Sequence, residues 1–415
     1  MVAVASSGQN LGVGWVASVL VAVVLGYGAL RLLHCSVPGR TSRLTTGVSL
    51  LLLAGLAATA WSYTGYLDAP GSAPMAVRTG DWMRDHHMNP IVDRLEQYLY
   101  AGTPPGNGKV AAAQLPAVGL LGAGGHPAGT AATPGALAPS RVAGLIDGHL
   151  RGEGQWTPSG RLVGGHPALY TTFVRPDPAH TNVVAAAVWL DPAATRVAYV
   201  PGTKQAGPWA WGSGIPTRER RGLIAAFNGG FKFKDTPGGY RTEGRTPVAL
   251  VDGQASLVLH ADGSADIGAW GSDVKMTRDV TTVRQNLALI VENGQPVTGL
   301  GDKIAGAWGS PRWQLQYTNR SGIGITRDHA LVYVAGSDLN TASLGQALAQ
   351  AGAVRAMELD IHADNPTFNF FAPAPGGDPV LGTKLTPSMT NSATRFLAPD
   401  QRDFFAVTVA DPASR

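Results

Sequence analysis

At 415 residues the chain exceeds one ordinary domain, and 44% hydrophobic against 14% charged residues is poor in charge for a wholly soluble protein. A formal net charge of +4, with no Lys/Arg run interleaved with aromatics, excludes a nucleic-acid partner. The single cysteine, Cys35, excludes an internal disulfide, so the stability of any folded part must come from an ordinary apolar core.

In chain order, Leu11 to Leu33 and Leu44 to Leu67 are apolar, nearly free of charge and long enough to cross a bilayer, which predicts two transmembrane helices within residues 1–67. Arg31, Arg40 and Arg43 cluster at the turn between them, whereas residues 1–10 carry no Lys or Arg, so the turn is expected in the cytoplasm. The chain is then a multi-pass protein of the cell membrane, with everything from Asp68 onward outside the cytoplasm. Residues 68–101 read as a juxtamembrane amphipathic segment, with Trp82, Met83, Ile91, Val92, Leu95, Tyr98 and Leu99 at roughly helical spacing. Residues 102–139 are rich in Gly, Ala and Pro with Lys109 the only charge, the composition of a spacer.

The extracytoplasmic domain is expected over 140–415. Tyr170 to Arg175, Val183 to Leu190, Arg196 to Val200, Leu223 to Phe227 and Phe404 to Val409 read as strands. Asp262-Gly263 and Asn293-Gly294 are hairpin signals. Ala330 to Gly336, a short helix over Ser343 to Ala351, and a strand from Ala353 spell strand, helix, strand, which predicts a parallel βαβ crossover. The fold class is α+β, a strand-rich mixed sheet with one such crossover.

Chemistry concentrates at the end of that last strand, Ala353-Val-Arg-Ala-Met-Glu-Leu-Asp-Ile-His-Ala-Asp364. Strict alternation puts Met357, Leu359 and Ile361 on one face and Glu358 and Asp360 on the other, roughly 6.5 to 7 Å apart. A carboxylate pair followed by His362 and Asp364 offers acid and base candidates, and neighbouring acids push their pKa values apart. The same oxygens, Glu358, Asp360 and Asp364 with Asn365, would equally suit Ca²⁺ or Mg²⁺; a metal-free site is the first reading, without a cofactor. Asn228-Gly-Gly-Phe231 follows a buried strand and lets a ligand approach the backbone closely. Arg320-Ser-Gly-Ile-Gly-Ile-Thr326 places a guanidinium where it could hold a phosphate or carboxylate. Arg241, Glu243 and Arg245 alternate in a Gly-rich loop and are candidate substrate contacts. No Gly-x-Ser-x-Gly, Walker loop, His-Glu-x-x-His or Cys-x-x-Cys is present, which leaves serine-hydrolase, nucleotide and zinc-protease readings unsupported.

Three of these motifs in this order, Asn228-Gly-Gly-Phe231, Arg320 to Thr326 and Ala356-Met-Glu-Leu-Asp360, resemble the phosphodiester glycosidase domain family over roughly Leu223 to Val409. The resemblance is to a membrane-anchored bacterial branch in which two helices and a Gly/Pro-rich tether precede the domain. It implies hydrolysis between the anomeric carbon and the phosphodiester oxygen of a sugar-1-phosphodiester, with Asn228, Arg320 and Asp360 at site positions and an envelope glycan or phosphoglycan as partner. Where the family usually reads Asp-Gly-Gly-Gly-Ser this chain reads Asp360-Ile-His-Ala-Asp364, and Glu358 stands where Asn is common. On this basis Asp360 or Glu358 is the expected base or nucleophile, His362 or Asp364 the proton donor, and Arg320 the phosphate ligand. The second reading is a catalytically silent glycan-binding or scaffold protein of the envelope that kept the fold.

Overall fold

The computed structural model describes residues 42–69, 71, 75–88, 90–92, 94–95, 105–117, 119–121, 138–205, 207–302, 307–309, 314–362, 365–373 and 380–410. Contacts divide the chain into two units, 1–69 with 73–95, and 70–72 with 96–415.

In the first unit, α1 (Ser42–Leu67) is apolar on all sides, and Gly47–Leu67 is, among the described residues, the one helix long and apolar enough to cross a membrane. Its Leu50, Leu51, Leu52 and Trp61 are exposed. The other expected span, Leu11 to Leu33, lies outside the described residues. The second helix, α2 (Met75–Asp85), folds back along the end of α1: Trp82 Nε1 donates to Ser62 Oγ (3.0 Å) and Tyr66 OH to Asp85 (2.6 Å). Arg78 donates to the carbonyls of Tyr66 (3.2 Å) and Leu67 (3.0 Å), which a helix C-terminus leaves without intrahelical donors.

The second unit contains, among the described residues, eighteen strands: β1 (Thr157–Val163), β2 (His166–Val174), β3 (Ala185–Leu190), β4 (Thr195–Val200), β5 (Leu223–Asn228), β6 (Tyr240–Thr242), β7 (Arg245–Val248), β8 (Ala255–His260), β9 (Ala265–Ala269), β10 (Val280–Gln285), β11 (Leu289–Glu292), β12 (Gln295–Pro296), β13 (Thr318–Thr326), β14 (Leu331–Leu339), β15 (Ala353–Ile361), β16 (Phe368–Pro373), β17 (Val380–Lys384) and β18 (Phe404–Val409). They form an eight-stranded sheet, β1-β2-β3-β14-β13-β15-β11-β12, and two five-stranded sheets, β7-β6-β10-β8-β9 and β17-β16-β5-β18-β4. Among the described residues, this unit's α-helices with full bounds are α3 (Thr217–Arg220) and α4 (Thr341–Gln350).

The α+β, strand-rich expectation holds; the mixed sheet does not, because every ladder between these strands is antiparallel. The crossover is present in a split form. β14 and β15 run parallel, but β13 lies between them and pairs antiparallel with both. Asn340 caps α4 by accepting from Ser343 N, and Ser343 Oγ in return accepts from Asn340 N, a reciprocal capping box. Leu344, Ala347 and Leu348 are buried, which contributes about 1.5 to 3 kcal/mol for each leucine. A Cβ on Gly322 would lie 2.8 Å from Leu348 Cδ1, so the glycine of β13 is what lets α4 lie close against the sheet. One core, with Ile323, Tyr333, Met357, Leu359, Phe227 and Phe405, fills the space between sheets; a second, with Ala356, Val334 and the α4 leucines, lies beneath the helix.

Within the stretch read as a spacer, several described residues are bonded to this unit. Asn107 Oδ1 accepts from Thr181 N (2.9 Å), Ala113 O from Ser388 N (2.9 Å), and Leu121 N donates to Gly160 O (2.7 Å). Their backbone groups find partners that composition alone does not reveal.

Candidate active site

The fully buried strand β5 runs straight into the Asn228-Gly229-Gly230 turn. Asn228, expected to meet substrate, is instead a buried clamp between sheets. Its Oδ1 accepts from Tyr333 OH (2.9 Å) and Thr367 N (2.9 Å), and its Nδ2 donates to Ser321 Oγ (3.0 Å) and Gly229 O (2.9 Å). Ser321 Oγ passes the chain on to Asp360 O (2.8 Å), so the clamp fixes the end of β15. The glycines that follow are required by crowding: a Cβ on Gly229 would lie 2.4 Å from Asp403 Oδ2, and one on Gly230 would lie 3.0 Å from the Asn286 amide carbon. Gly229→Ala is expected to destabilise the domain by about 1 to 3 kcal/mol, read as a lower urea midpoint with unchanged slope; an unchanged midpoint would mean the turn is not packed as described.

Glu358 and Asp360 do not share a face. Arg320 pairs with Ile361 and Gly322 with Glu358, so three steps of β15 oppose two of β13: a bulge at Leu359 and Asp360. Arg320 and Gly322 alternate onto the α4 side, and Glu358, opposite Gly322, joins them there. Its Oε1 lies 2.5 Å from Arg320 Nη1, with side-chain exposures of 0% and 1%. Arg320 also donates to Leu339 O (2.9 Å) and Gln316 O (3.1 Å), so the guanidinium expected to hold phosphate is committed inside the protein. Burial pushes the Glu358 carboxyl up, and Arg320 opposes that shift. Glu358 Oε2 has no hydrogen-bond partner among the described residues.

Beyond the bulge, Asp360 turns to the glycine turn. Its N–H donates to Gly229 O (3.1 Å), its Oδ1 accepts from Ile361 N (3.0 Å), and its Oδ2 lies 2.6 Å from Arg402 Nη2. The same Nη2 donates to Gly230 O (2.9 Å). Burial raises the Asp360 pKa, Arg402 and Lys232 pull it back, and Asp403 adds to the rise. The pair keeps side-chain exposures of 10% and 15%, and Lys232 is half-buried, so the site borders solvent.

Behind it, Arg284 binds Asp403 (Nε to Oδ2, 2.7 Å), donates to Phe231 O (2.7 Å) and lies over the Phe233 ring at 4.1 Å. Asn286 receives Phe231 N (3.1 Å) and donates to Glu358 O (2.7 Å). These four residues, Arg284, Asn286, Arg402 and Asp403, form the frame of the site and were not anticipated. Arg284-Gln-Asn286, a polar run at the end of β10 (Val280–Gln285), was a readable signal; Arg402 and Asp403 had none.

His362 leaves β15 with φ at 77°, its N–H held by Asn319 O (2.8 Å). Asp364 lies outside the described residues. Asn365 Nδ2 donates to Ile361 O (2.7 Å). Among the described residues no group of three or more His, Cys, Asp and Glu converges on a metal position; Glu358 is engaged by Arg320 and Asp360 by Arg402. Arg241, Glu243 and Arg245 lie on the β6–β7 hairpin, where Glu243 (φ 49°) and Gly244 (φ 77°) make the turn. Glu243 accepts from Ala210 N (2.9 Å), Arg241 donates to Thr246 Oγ1 (3.1 Å), and Arg245 lies 5.4 Å from the Trp209 ring. Glu243 and Arg245 thus brace the hairpin against the Trp209 loop, while Arg241 ties its two strands together.

Residues 221–360 match the family model described as NAGPA, phosphodiester glycosidase. The match therefore includes the glycine turn, Arg320 and Asp360, and ends before Arg402. Among solved structures, the chain is similar to the zebrafish N-acetylglucosamine-1-phosphodiester alpha-N-acetylglucosaminidase catalytic domain, auto-inhibited by its pro-peptide, at 15% identity and TM-score 0.39, covering 60% of this chain and 85% of that one. It is also similar to a Synechocystis protein, at 11% identity and TM-score 0.37, covering 61% and 64%. A third is an exported protein of Burkholderia pseudomallei, at 11% identity and TM-score 0.33, covering 56% and 75%. No curated protein matches the chain.

Proposed function

We propose that the domain hydrolyses sugar-1-phosphodiester linkages of cell-envelope glycans outside the cytoplasm, anchored by two transmembrane helices, Leu11 to Leu33 and Leu44 to Leu67. The observation that carries the reaction is Asp360: one carboxylate at a solvent border, held between a close-packed glycine turn and a guanidinium, inside the stretch that matches a hydrolytic, carbohydrate-directed family. In the reaction the bond between the anomeric carbon and the phosphodiester oxygen breaks, water supplies the new oxygen at that carbon, and the phosphate departs as a monoester. Asp360 takes the water proton as base, or attacks the anomeric carbon as nucleophile before water displaces it. The departing phosphate needs little protonation, and what it needs falls to His362 or Asp364. Glu358 and Arg320 support the strand from beneath and take no part in proton transfer.

The test is incubation of the full chain in detergent with a panel of sugar-1-phosphodiesters and plain glycosides, following reducing sugar and phosphomonoester together. Equal release of both from the phosphodiesters alone supports the reading. Release from plain glycosides moves the enzyme to another linkage, and binding of glycan without turnover makes it a binding protein.

A further inference from the structure

Burial by itself disfavours an ionised Asp360, yet its hydrogen bonds are those of a carboxylate. Both oxygens accept, Oδ1 from Ile361 N (3.0 Å) and Oδ2 from Arg402 (2.6 Å), and the short Arg402 contact is a charge-assisted bond that gains most from an ionised carboxylate. The charged groups around it come from four places: Arg402 and Asp403 from the loop before β18, Lys232 from the loop after the glycine turn, Glu358 from its own strand, and Arg284 from β10 behind Asp403. Glu358 is taken by Arg320 and Arg284 by Asp403, both at near-zero exposure. Arg402 donates directly to Asp360 Oδ2, and its second bond to Gly230 O ties the carboxylate to the turn.

We propose that Arg402, which lies beyond the 221–360 family match, is a positioning residue of this site that holds Asp360 ionised and aimed at the Gly229–Gly230 turn, so that Asp360 is base or nucleophile and the proton donor is another group. The proposal rests on the functional reading above for its catalytic meaning, but not for its electrostatics. Removing the guanidinium leaves burial unopposed on that side, so the carboxyl must titrate higher, and any rate limb that reports it must move with it.

The experiment is a carboxyl-carbon NMR titration of the full chain, labelled at aspartate, for wild type, Arg402→Gln and Arg402→Lys, with Asp360→Asn to assign the signal. In Arg402→Gln the Asp360 midpoint is expected to rise by about 1 to 3 pH units, with a smaller rise in Arg402→Lys, and the acid limb of kcat/KM is expected to rise equally. An unchanged midpoint in folded Arg402→Gln overturns the proposal. So does a wild-type signal that is protonated at neutral pH, a result that needs no variant to fold. A raised midpoint in a protein that turns over no phosphodiester upholds the Arg402 contact and removes the hydrolase.

Discussion

Asp360→Asn is expected to lower kcat/KM for a sugar-1-phosphodiester by about 10²- to 10⁴-fold, the usual worth of a positioned base, while leaving the domain folded. The amide has the shape of the carboxylate, can still accept from Ile361 N, and sits at a solvent border rather than in a core. What it lacks is the basic lone pair and the charge that Arg402 answers. The check is a rate measurement beside a urea melt. A folded variant with wild-type turnover would remove Asp360 from the chemistry, and with it the account of the site.

Glu358, two residues earlier, is expected to behave oppositely. Glu358→Ala leaves the Arg320 guanidinium charged and buried, which should cost about 3 to 5 kcal/mol of stability. Replacing both partners by apolar residues of similar size, Glu358→Leu with Arg320→Met, should recover most of that loss, because a buried pair draws little net stability from its own attraction. Urea unfolding of Glu358→Leu alone, Arg320→Met alone and the two combined gives the coupling directly. Additive losses would show that the pair does not interact as drawn. The contrast with Asp360 is the consequence of the bulge: two acids that alternate in the sequence are assigned by one extra residue to different tasks.

That bulge also marks the limit of what alternation can reveal. The period-2 pattern located β15, and the Asn293-Gly294 turn appeared as the two-residue hairpin between β11 and β12. Phe404–Val409 is a strand with the bounds its residues indicated. But a strictly alternating strand puts Glu358 and Asp360 side by side, and nothing local announces that three residues will oppose two. Arg320 was legible as a cation near the site, not as the internal partner of Glu358, since its burial depends on α4 arriving over Gly322. The crossover helix itself was read from Ser343, whereas Asn340 and the capping box begin it at Thr341. β1, with Pro158 and Gly160 inside it, has no readable pattern, and it is held by its ladder to β2. Arg402 and Asp403 precede β18 as ordinary polar residues. Only the pairing of β18 with β5 brings them to the glycine turn, a long-range contact that composition and periodicity do not encode.

Isotope-labelled water distinguishes attack at the anomeric carbon from attack at phosphorus. Hydrolysis of a sugar-1-phosphodiester by the full chain in ¹⁸O-water should place the label on the anomeric carbon of the released sugar and leave the phosphomonoester unlabelled. Label in the phosphomonoester would mean attack at phosphorus, and would contradict the assignment of this site to a glycosidase.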